Sequence, residues 1–217
     1  MFRNRLLGIA AGICVLTLTV SLSASAQLAS RPAEEWSKTL EQPSRLETLK
    51  INDIVAALRL KPGQTVADLG AGTGLFSVPM AKAVAPEGRV YAVEIDKGYF
   101  PMIDAKAKEA RLSNITTVLG EFGDPRLPAQ NVDLAFMHDV LHHVEDRAGY
   151  LKNAARYLKP EGRFVVIDYK ADGGPHKEQP DLIVSEQQVT GWMKAAGLSK
   201  VEKIDIFPDK YFLIFSR

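Results

Sequence analysis

Residues 66–74 read VADLGAGTG, and this segment decides the fold that the rest of the sequence predicts. The apolar run from Thr65 to Leu69 is typical of a buried strand, and the glycines after it predict a tight turn. A helix is expected next, to about Val84, starting late or bending because Pro79 falls early in it. Glycine has no Cβ, so the backbone N–H groups of this turn can approach a ligand closely.

Strands and helices alternate along the chain around this segment. Five strands separated by helices are predicted at residues 65–69, 89–95, 116–119, 132–137 and 163–168. Such alternation indicates a parallel sheet with helices on both faces. The last two strands, at residues 201–207 and 211–216, read instead as an antiparallel hairpin around Pro208 and Asp209. The sequence therefore predicts an α/β fold, a doubly wound, seven-stranded, mostly parallel sheet with a C-terminal antiparallel hairpin.

Two capping boxes predict where helices begin. Ser44 and Glu47 would open a helix that ends at Lys61, and Ser185 and Gln188 would open one near residues 186–196. We divide the chain into residues 1–26, a polar N-terminal segment at 27–44 and one domain at 45–217.

The first 26 residues are typical of a secretory signal peptide. Arg3 and Arg5 form a short positive region, an apolar stretch follows, and Ala24-Ser25-Ala26 is a small-residue cleavage site. We expect cleavage after Ala26 and an exported protein, periplasmic or secreted, with no membrane span left. The alternative is an uncleaved membrane anchor over residues 6–26, because about 20 apolar residues can span a bilayer.

Composition excludes several classes of function. The chain has 27 Lys and Arg against 26 Asp and Glu. This balance argues against a nucleic-acid binder, which normally carries a basic stripe. The one cysteine, Cys14, lies in the predicted signal peptide, so the processed chain would contain no thiol. A disulfide framework, a cysteine nucleophile and a multi-cysteine metal site are then excluded, and an oxidising compartment fits.

Together with four further segments, residues 66–74 resemble the class I S-adenosylmethionine-dependent methyltransferases. The four are VYAVEID at 90–96, VLGEF at 118–122, VDLAFMHDVLHHV at 132–144 and LKPEGRFVVID at 158–168. The resemblance runs from about Asp53 to Arg217, and the terminal hairpin agrees with it because this family ends its sheet with an antiparallel strand. It implies a Rossmann-like fold and S-adenosylmethionine as the cofactor.

The resemblance also implies residue roles at the first two strands. Gly70, Ala71 and Gly72 would lie against the amino-acid part of the cofactor, and Asp68 would order their loop. Glu94 would bind both ribose hydroxyls, a role that also suits a carboxylate about 20 residues after the glycine turn. The family often has a cofactor lid in the region of Trp36 and Arg45, for which plain packing is the alternative.

Further roles are implied at the next two strands. Ile95 would pack on the adenine, and Glu121, with Phe122 beside it, would take the position of the acid near the adenine amine. This chain has Glu where Asp is commoner there, followed by an insertion at residues 123–126. His138 would line the cofactor or methyl pocket, together with Asp139.

The segment around His138 also imitates a metal motif. His138 and His142 are four residues apart with an acid between them, as in zinc-binding helices. That chemistry needs both histidines on one helix, whereas His138 is predicted to end a strand; we therefore expect no bound metal. A general base is needed only if the methyl acceptor must lose a proton. Asp139, His142 and Tyr169 are the candidates, with packing as the alternative for His142.

The sequence thus predicts an exported methyltransferase that acts on a small-molecule acceptor. The alternative is a non-catalytic module that binds S-adenosylmethionine or S-adenosylhomocysteine, since the cofactor is made in the cytoplasm and export would separate the two. A nicotinamide-dependent oxidoreductase is disfavoured, because Leu75 stands where the dinucleotide fingerprint needs glycine.

Overall fold

A computed structural model describes residues 31–174 and 178–217. The signal peptide predicted at residues 1–26 lies outside this range. Within the described residues, seven strands form one sheet: β1 Thr65–Leu69, β2 Arg89–Glu94, β3 Ile115–Leu119, β4 Val132–His138, β5 Leu158–Tyr169, β6 Ser199–Lys203 and β7 Lys210–Ser216.

Helices connect and cover these strands. They are α1 Ala33–Leu40, α2 Pro43–Leu49, α3 Ile51–Ala57, α4 Ser77–Val84, α5 Phe100–Glu109, α6 Arg147–Ala155 and α7 Glu186–Ala195. Short 3-10 turns lie at Lys97–Tyr99, Leu141–His143 and Pro180–Leu182. Across the described ranges, none of the helices combines the length and apolar character that crossing a membrane requires.

The strand order in the sheet is β3-β2-β1-β4-β5-β7-β6. The first five strands pair in parallel, while β7 pairs antiparallel with both β5 and β6. The predicted doubly wound sheet with its antiparallel end is therefore confirmed. The order reverses between β1 and β4, and in such sheets a crevice for ligands opens there, beyond the carboxyl ends of the strands.

Burial follows from the position of each strand in the sheet. All five residues of β1 are buried, as are the first six of β7, whereas the edge strands β3 and β6 are mostly half-buried or exposed. Side chains of the buried strands alternate between two apolar layers, one on each face of the sheet. Phe212 and Ile214 belong to the layer with α3 and α4, and Leu213 and Phe215 to the layer with α6 and α7. Both faces of the sheet are thus covered, which explains the nearly continuous apolar runs.

The N-terminal region differs from the prediction. Helix α2 begins at Pro43, and Gln42 at its N-cap position makes no side-chain capping bond, so the capping box at Ser44 is wrong. Proline suits the first turn because its φ is already helical and it has no N–H to leave unpaired. Lys50, with φ of 49°, then separates α2 from α3, where one continuous helix was predicted.

The segment predicted only as polar, residues 27–44, contains helix α1. Glu34 and Glu35 lie in its first turn and Lys38 in its last, charges that favour a helix through its dipole. The Lys106 ammonium and the Glu41 carboxylate are 2.6 Å apart, which joins the end of α1 to α5. Residues 33–41 are therefore packed onto the domain and belong to it structurally.

The C-terminal region agrees better with the prediction. The Ser185–Gln188 capping box is present at the start of α7. The hairpin is displaced, because β6 ends at Lys203 and six residues lead to β7 at Lys210. Within that connection Phe207 is buried in the core, so the chain leaves the strand ladder early to pack an aromatic ring.

Replacing Phe212 with alanine should lower the free energy of unfolding by about 3–5 kcal/mol, because the ring is fully buried in the apolar layer that α3 and α4 cover. Phe122→Ala is the matched control, since 56% of Phe122 is exposed, and its effect should stay within about 0.5 kcal/mol. Urea unfolding followed by circular dichroism measures both. Equal losses in the free energy of unfolding for Phe212→Ala and Phe122→Ala would contradict the assignment of Phe212 to the core.

Candidate active site

A cavity of about 850 Å³ opens at the carboxyl ends of the parallel strands, a size usual for small-molecule sites. Its wall combines the segments that follow β1 to β4 with helix α1. These wall segments are residues 70–73, 93–97, 119–122 and 138–140, together with Trp36, Leu40 and Arg45. The crevice expected from the strand order is thus a formed cavity.

The turn after β1 requires glycine at more than one position. Gly70 and Gly72 have φ values of +77° and +54°, a region that residues with a Cβ adopt only at a cost. A Cβ at Gly70 would also collide with the side chain of Val140. The N–H groups of Gly70 and Ala71 donate to the carbonyl of Val93, at 2.9 and 3.0 Å. The turn is therefore held against the end of β2.

Asp68, at the end of β1, lies behind this turn and is not among the residues that line the cavity. The Ser77 hydroxyl donates to its carboxylate at 2.5 Å, which joins β1 to the first turn of α4. Burial is the main cause that raises the pKa of Asp68 to about 7, the charge of Glu94 adds to the rise, and the Ser77 hydrogen bond opposes it. The position fits the predicted role of ordering the loop.

Glu94 ends β2 with its carboxylate in the cavity wall. One carboxylate oxygen accepts from Gly72 N–H at 2.8 Å, and the other accepts from Ile95 N–H at 2.9 Å. Burial raises the pKa of the Glu94 carboxyl, while these backbone hydrogen bonds lower it. The side chain is fixed from both sides, and Ile95 lies next to it in the same wall.

Glu121 and Phe122 lie at the cavity rim, after β3. Residues 121–124 form a tight turn in which Glu121 and Asp124 exchange backbone hydrogen bonds. The inserted Arg126 reaches back, and its Nη2 donates to both carboxylate oxygens of Glu121 at 2.8 and 2.9 Å. The acid implied for the adenine amine thus has a cationic partner that the sequence did not reveal, and its role stays a prediction.

His138 and Asp139 form a polar patch of the wall, after β4. Asp139 has a left-handed backbone, with φ of 56°, and its Oδ2 accepts from the Lys210 ammonium at 2.7 Å. Arg45 Nη2 is 3.7 Å from the same oxygen. Lys210 is itself buried, with its ammonium 4.5 Å from the centre of the Tyr169 ring.

The three candidates for a general base lie in different places. Asp139 lines the cavity, whereas His142 and Tyr169 do not occur among its lining residues. His142 is buried beside β5, where its Nδ1 is 2.7 Å from Asp168 Oδ1 and its backbone N–H donates to Asp168 Oδ2. The Tyr169 ring packs against Lys210. Of the three, Asp139 is the candidate that an acceptor in the cavity could contact.

In the described part of the chain, no three His, Cys, Asp or Glu side chains come together as a metal site would require. The absence of a metal stays a prediction.

Sequence reasoning missed Lys210 as a site residue. Its signal was a lysine at the start of an otherwise apolar strand, KYFLIF at 210–215. Its partner lies 71 positions away, and only the pairing of β7 with β5 brings the two together.

Gly70→Ala should destabilise the protein more than Gly63→Ala. Both glycines have positive φ, but a Cβ at Gly63 meets nothing within 4 Å, so that variant isolates the backbone strain of about 1–2 kcal/mol. At Gly70 the collision with Val140 should add about 1–3 kcal/mol of overpacking. Urea unfolding measures the free energy of unfolding of both variants. Equal losses would contradict the expected overpacking, because they would mean that the Val140 side chain moves aside at no measurable cost.

The comparison with known proteins agrees with this geometry. A family model described as "Methyltransferase domain" matches residues 67–166. The chain is 36% identical over 129 residues to an uncharacterized 37.1 kDa protein in transposon TN4556 of Streptomyces fradiae, which covers 59% of this chain and 36% of that protein. It is 27% identical over 116 residues to a demethylmenaquinone methyltransferase of Geobacillus sp. strain WCH70, covering 54% of this chain and 50% of that protein. The chain therefore spans half or less of the length of these relatives.

Among solved structures, the fold is similar to a SAM-dependent methyltransferase from Aquifex aeolicus. The TM-score is 0.74 at 27% identity, and the match covers 83% of this chain and 96% of that one. With the strand order and the glycine turn, these matches confirm the resemblance seen in the sequence. Residues 67–166 thus match a methyltransferase domain, and the fold is similar to that of a SAM-dependent methyltransferase, which is consistent with the class I S-adenosylmethionine-dependent methyltransferases.

Proposed function

We propose that the chain transfers the methyl group of S-adenosylmethionine to a small-molecule acceptor. The observation that carries the proposal is the Glu94 carboxylate, which two backbone N–H groups hold in the cavity wall beside the glycine turn. A carboxylate in this place is suited to a vicinal diol such as a ribose.

The residues of the wall fit this cofactor. The Glu94 oxygens accept backbone hydrogen bonds from Gly72 and Ile95, and the Asp96 backbone also contributes. An ionised carboxylate has about four lone-pair sites, so it can still accept from a ribose hydroxyl. At Gly70 and Gly72 no side chain stands between the backbone and the cavity. Residues 70–72 would hold the amino-acid part of the cofactor, Glu94 its ribose and Ile95 its adenine. When bound, the cofactor supplies a methyl group activated by a sulfonium.

A small acceptor is supported by the cavity and by the charge. Apolar side chains, among them Leu40, Phe76, Val140 and Val144, line much of the wall and suit an apolar molecule. The nearly balanced charge of the chain does not favour nucleic acid. A similar protein that bears the name demethylmenaquinone methyltransferase also supports a small molecule as the acceptor class.

Glu94→Ala should weaken the binding of S-adenosylhomocysteine by about 10- to 150-fold, the effect of losing hydrogen bonds to a charged group. Isothermal titration calorimetry measures it. Glu109→Ala, an exposed acid on α5, is the control and should bind like the parent. NAD should not bind to the parent, and a preference for NAD over S-adenosylhomocysteine would refute the proposed cofactor.

A methyl-transfer assay on the purified chain distinguishes an enzyme from a non-catalytic binding module. Incubation with labelled S-adenosylmethionine and extracted small molecules should transfer label to an acceptor. Binding of S-adenosylhomocysteine without any transfer would favour the binding module.

We further propose that the chain is exported after cleavage behind Ala26. Residues 1–26 run from a positively charged region through an apolar stretch to small residues, as in a cleavable signal peptide. The lack of cysteine after them fits an oxidising compartment. A domain outside the cytoplasm would need its cofactor delivered there, which makes location the decisive property of the protein in the cell.

N-terminal sequencing of the natively expressed protein should find Gln27 as the first residue, in a periplasmic or secreted fraction. An intact N-terminus in a membrane fraction would favour the anchor over residues 6–26. A chain that begins at Met1 in the soluble cytoplasm would refute export.

A further inference from the structure

One edge of the sheet is open and carries no charge. Strand β3 forms this edge and pairs, among the described residues, with β2 alone. Its sequence is ITTVL at residues 115–119, and 53% of Leu119 is exposed. An edge strand can pair with another chain, and proteins usually prevent this with charged side chains or a β-bulge. Strand β3 has neither of these features.

The opposite edge of the same sheet does have both features. Strand β6 is as short as β3, but it carries Lys200, Glu202 and Lys203. A bulge also interrupts its pairing with β7 between Lys200 and Glu202. The contrast indicates that β3 is the edge of this sheet at which a further strand can be added.

The pairing of β3 with β2 decides which backbone groups of β3 point outward. Val90 N–H donates to the Asn114 carbonyl at 2.8 Å, and Gly120 N–H donates to the Glu94 carbonyl at 2.9 Å. Backbone groups of successive residues in a strand point to alternate sides, so the even-numbered residues of β3 bond to β2. The residues that direct their N–H and C=O groups away from β2 are the odd-numbered ones, Ile115, Thr117 and Leu119.

Exposed apolar side chains gather at the end of this edge. Among the described residues, three large apolar side chains are exposed, and two of them, Leu119 and Phe122, lie at or just after the end of β3. A lipid bilayer is a poor partner for this edge, because hydrocarbon cannot satisfy the outward backbone groups beside these side chains. A polypeptide strand can satisfy the backbone groups and cover the apolar side chains together.

The two flanks of β3 carry opposite charge. Residues 106–111 before the strand contain three bases and one acid, a net charge of +2. Residues 121–126 after it contain two acids and one arginine, a net charge of −1. Two antiparallel copies of β3 would place the basic flank of each copy beside the acidic flank of the other, whereas parallel copies would oppose like charges. The edge is therefore complementary to itself in antiparallel orientation.

We propose that two copies of the chain join their β3 edges in antiparallel orientation and form one continuous sheet. The two-fold axis passes through Thr117, so Thr117 pairs with Thr117 of the second copy and Ile115 pairs with Leu119 of the second copy. Each such pair exchanges two backbone hydrogen bonds. Because Ile115 packs at the margin of the layer with α3 and α4, its contact with Leu119 extends that layer across the interface.

This pairing does not depend on methyl transfer, but it reaches the candidate active site. Leu119 lines the cavity, and Phe122 lies at its rim. The second copy therefore adds Ile115 to the outer margin of the cavity, opposite Leu119.

Cysteine cross-linking tests the axis. Cys14 is the one cysteine of the chain, so an introduced cysteine is the sole thiol in a Cys14→Ser background. Thr117→Cys should form a disulfide-linked dimer on mild oxidation, because the Cα atoms of a hydrogen-bonded pair are about 5.5 Å apart, within the reach of a disulfide. Val201→Cys is the matched control, since Val201 is 58% exposed on the opposite edge strand. It should cross-link about tenfold less, and equal cross-linking would overturn the proposal.

A mixture of two variants tests the register. Ile115→Cys and Leu119→Cys face each other across the interface and should form mainly the mixed dimer, which an affinity tag on one variant identifies. Each variant alone should cross-link poorly, because its own copies lie about 13 Å apart along the paired strands. Efficient cross-linking of each variant with itself would indicate parallel pairing and contradict the antiparallel register.

Sedimentation velocity tests association in solution. The parent should form dimers reversibly, with a dissociation constant of about 1–100 μM, because the interface is small. Thr117→Lys should weaken association at least about fivefold, since it opposes two ammonium groups at the axis. Val201→Lys should leave association unchanged, and circular dichroism checks that both variants are folded. A parent that stays monomeric throughout this range, or association that Thr117→Lys does not weaken, would overturn the proposal.

Vesicles test the other possible occupant of this edge. Phosphatidylcholine vesicles should not sediment the parent. A monomeric parent that binds these vesicles, and no longer binds them as Phe122→Ser, would overturn the dimer and assign the edge to a lipid surface. Calorimetry with S-adenosylhomocysteine on the same samples keeps the two proposals apart. A monomer that binds S-adenosylhomocysteine would refute the dimer alone, and a dimer that does not bind it would refute the proposed function alone.

Discussion

The hydrogen bonds between the turn after β1 and the end of β2 are the interaction on which the candidate site depends. Gly70 and Ala71 donate to Val93, and Gly72 donates to the carboxylate of Glu94. These bonds require two parallel strands in register and a turn that only glycine forms at low cost. They fix the carboxylate and the turn together, so neither can move without the other.

This arrangement concentrates negative charge in a buried place. Asp68 and Glu94 lie near enough for the charge of one to raise the pKa of the other, and burial raises both. A carboxyl whose pKa is higher in the folded state than in the unfolded chain destabilises the fold once it ionises. For Asp68, the free energy of unfolding therefore falls as pH rises from 3.8 to about 7. The backbone donors from Gly72 and Ile95 offset part of this cost at Glu94. Burying these carboxylates thus lowers the stability of the fold at neutral pH, while it holds the Glu94 carboxylate in the cavity wall as a fixed hydrogen-bond acceptor.

The opposite wall depends on the antiparallel end of the sheet. Strand β7 pairs with β5 along seven residues and begins at Lys210, whose ammonium meets the Asp139 carboxylate just after β4. The helices before β1 contribute as well, through Trp36 and Leu40 of α1 and Arg45 of α2. The cavity is therefore built from both ends of the domain, while the strands and turn in between provide the wall with the glycine turn and Glu94.

The sequence by itself determined the sheet and the wall segments after β1 and β2, because both depend on local patterns. The apolar runs of β1 and β4, the glycine turn and the acid after β2 are each short in sequence and strongly constrained by the backbone. The interruption at Lys50, the early end of β6 and the Arg126 partner of Glu121 were decided by packing between segments. Tertiary structure alone joined Lys210 to Asp139 and separated His142, bound to Asp168, from the cavity. A periodic pattern reports which side of an element is buried, but which charge meets which depends on strand order and register, since these set distances between residues far apart in the chain.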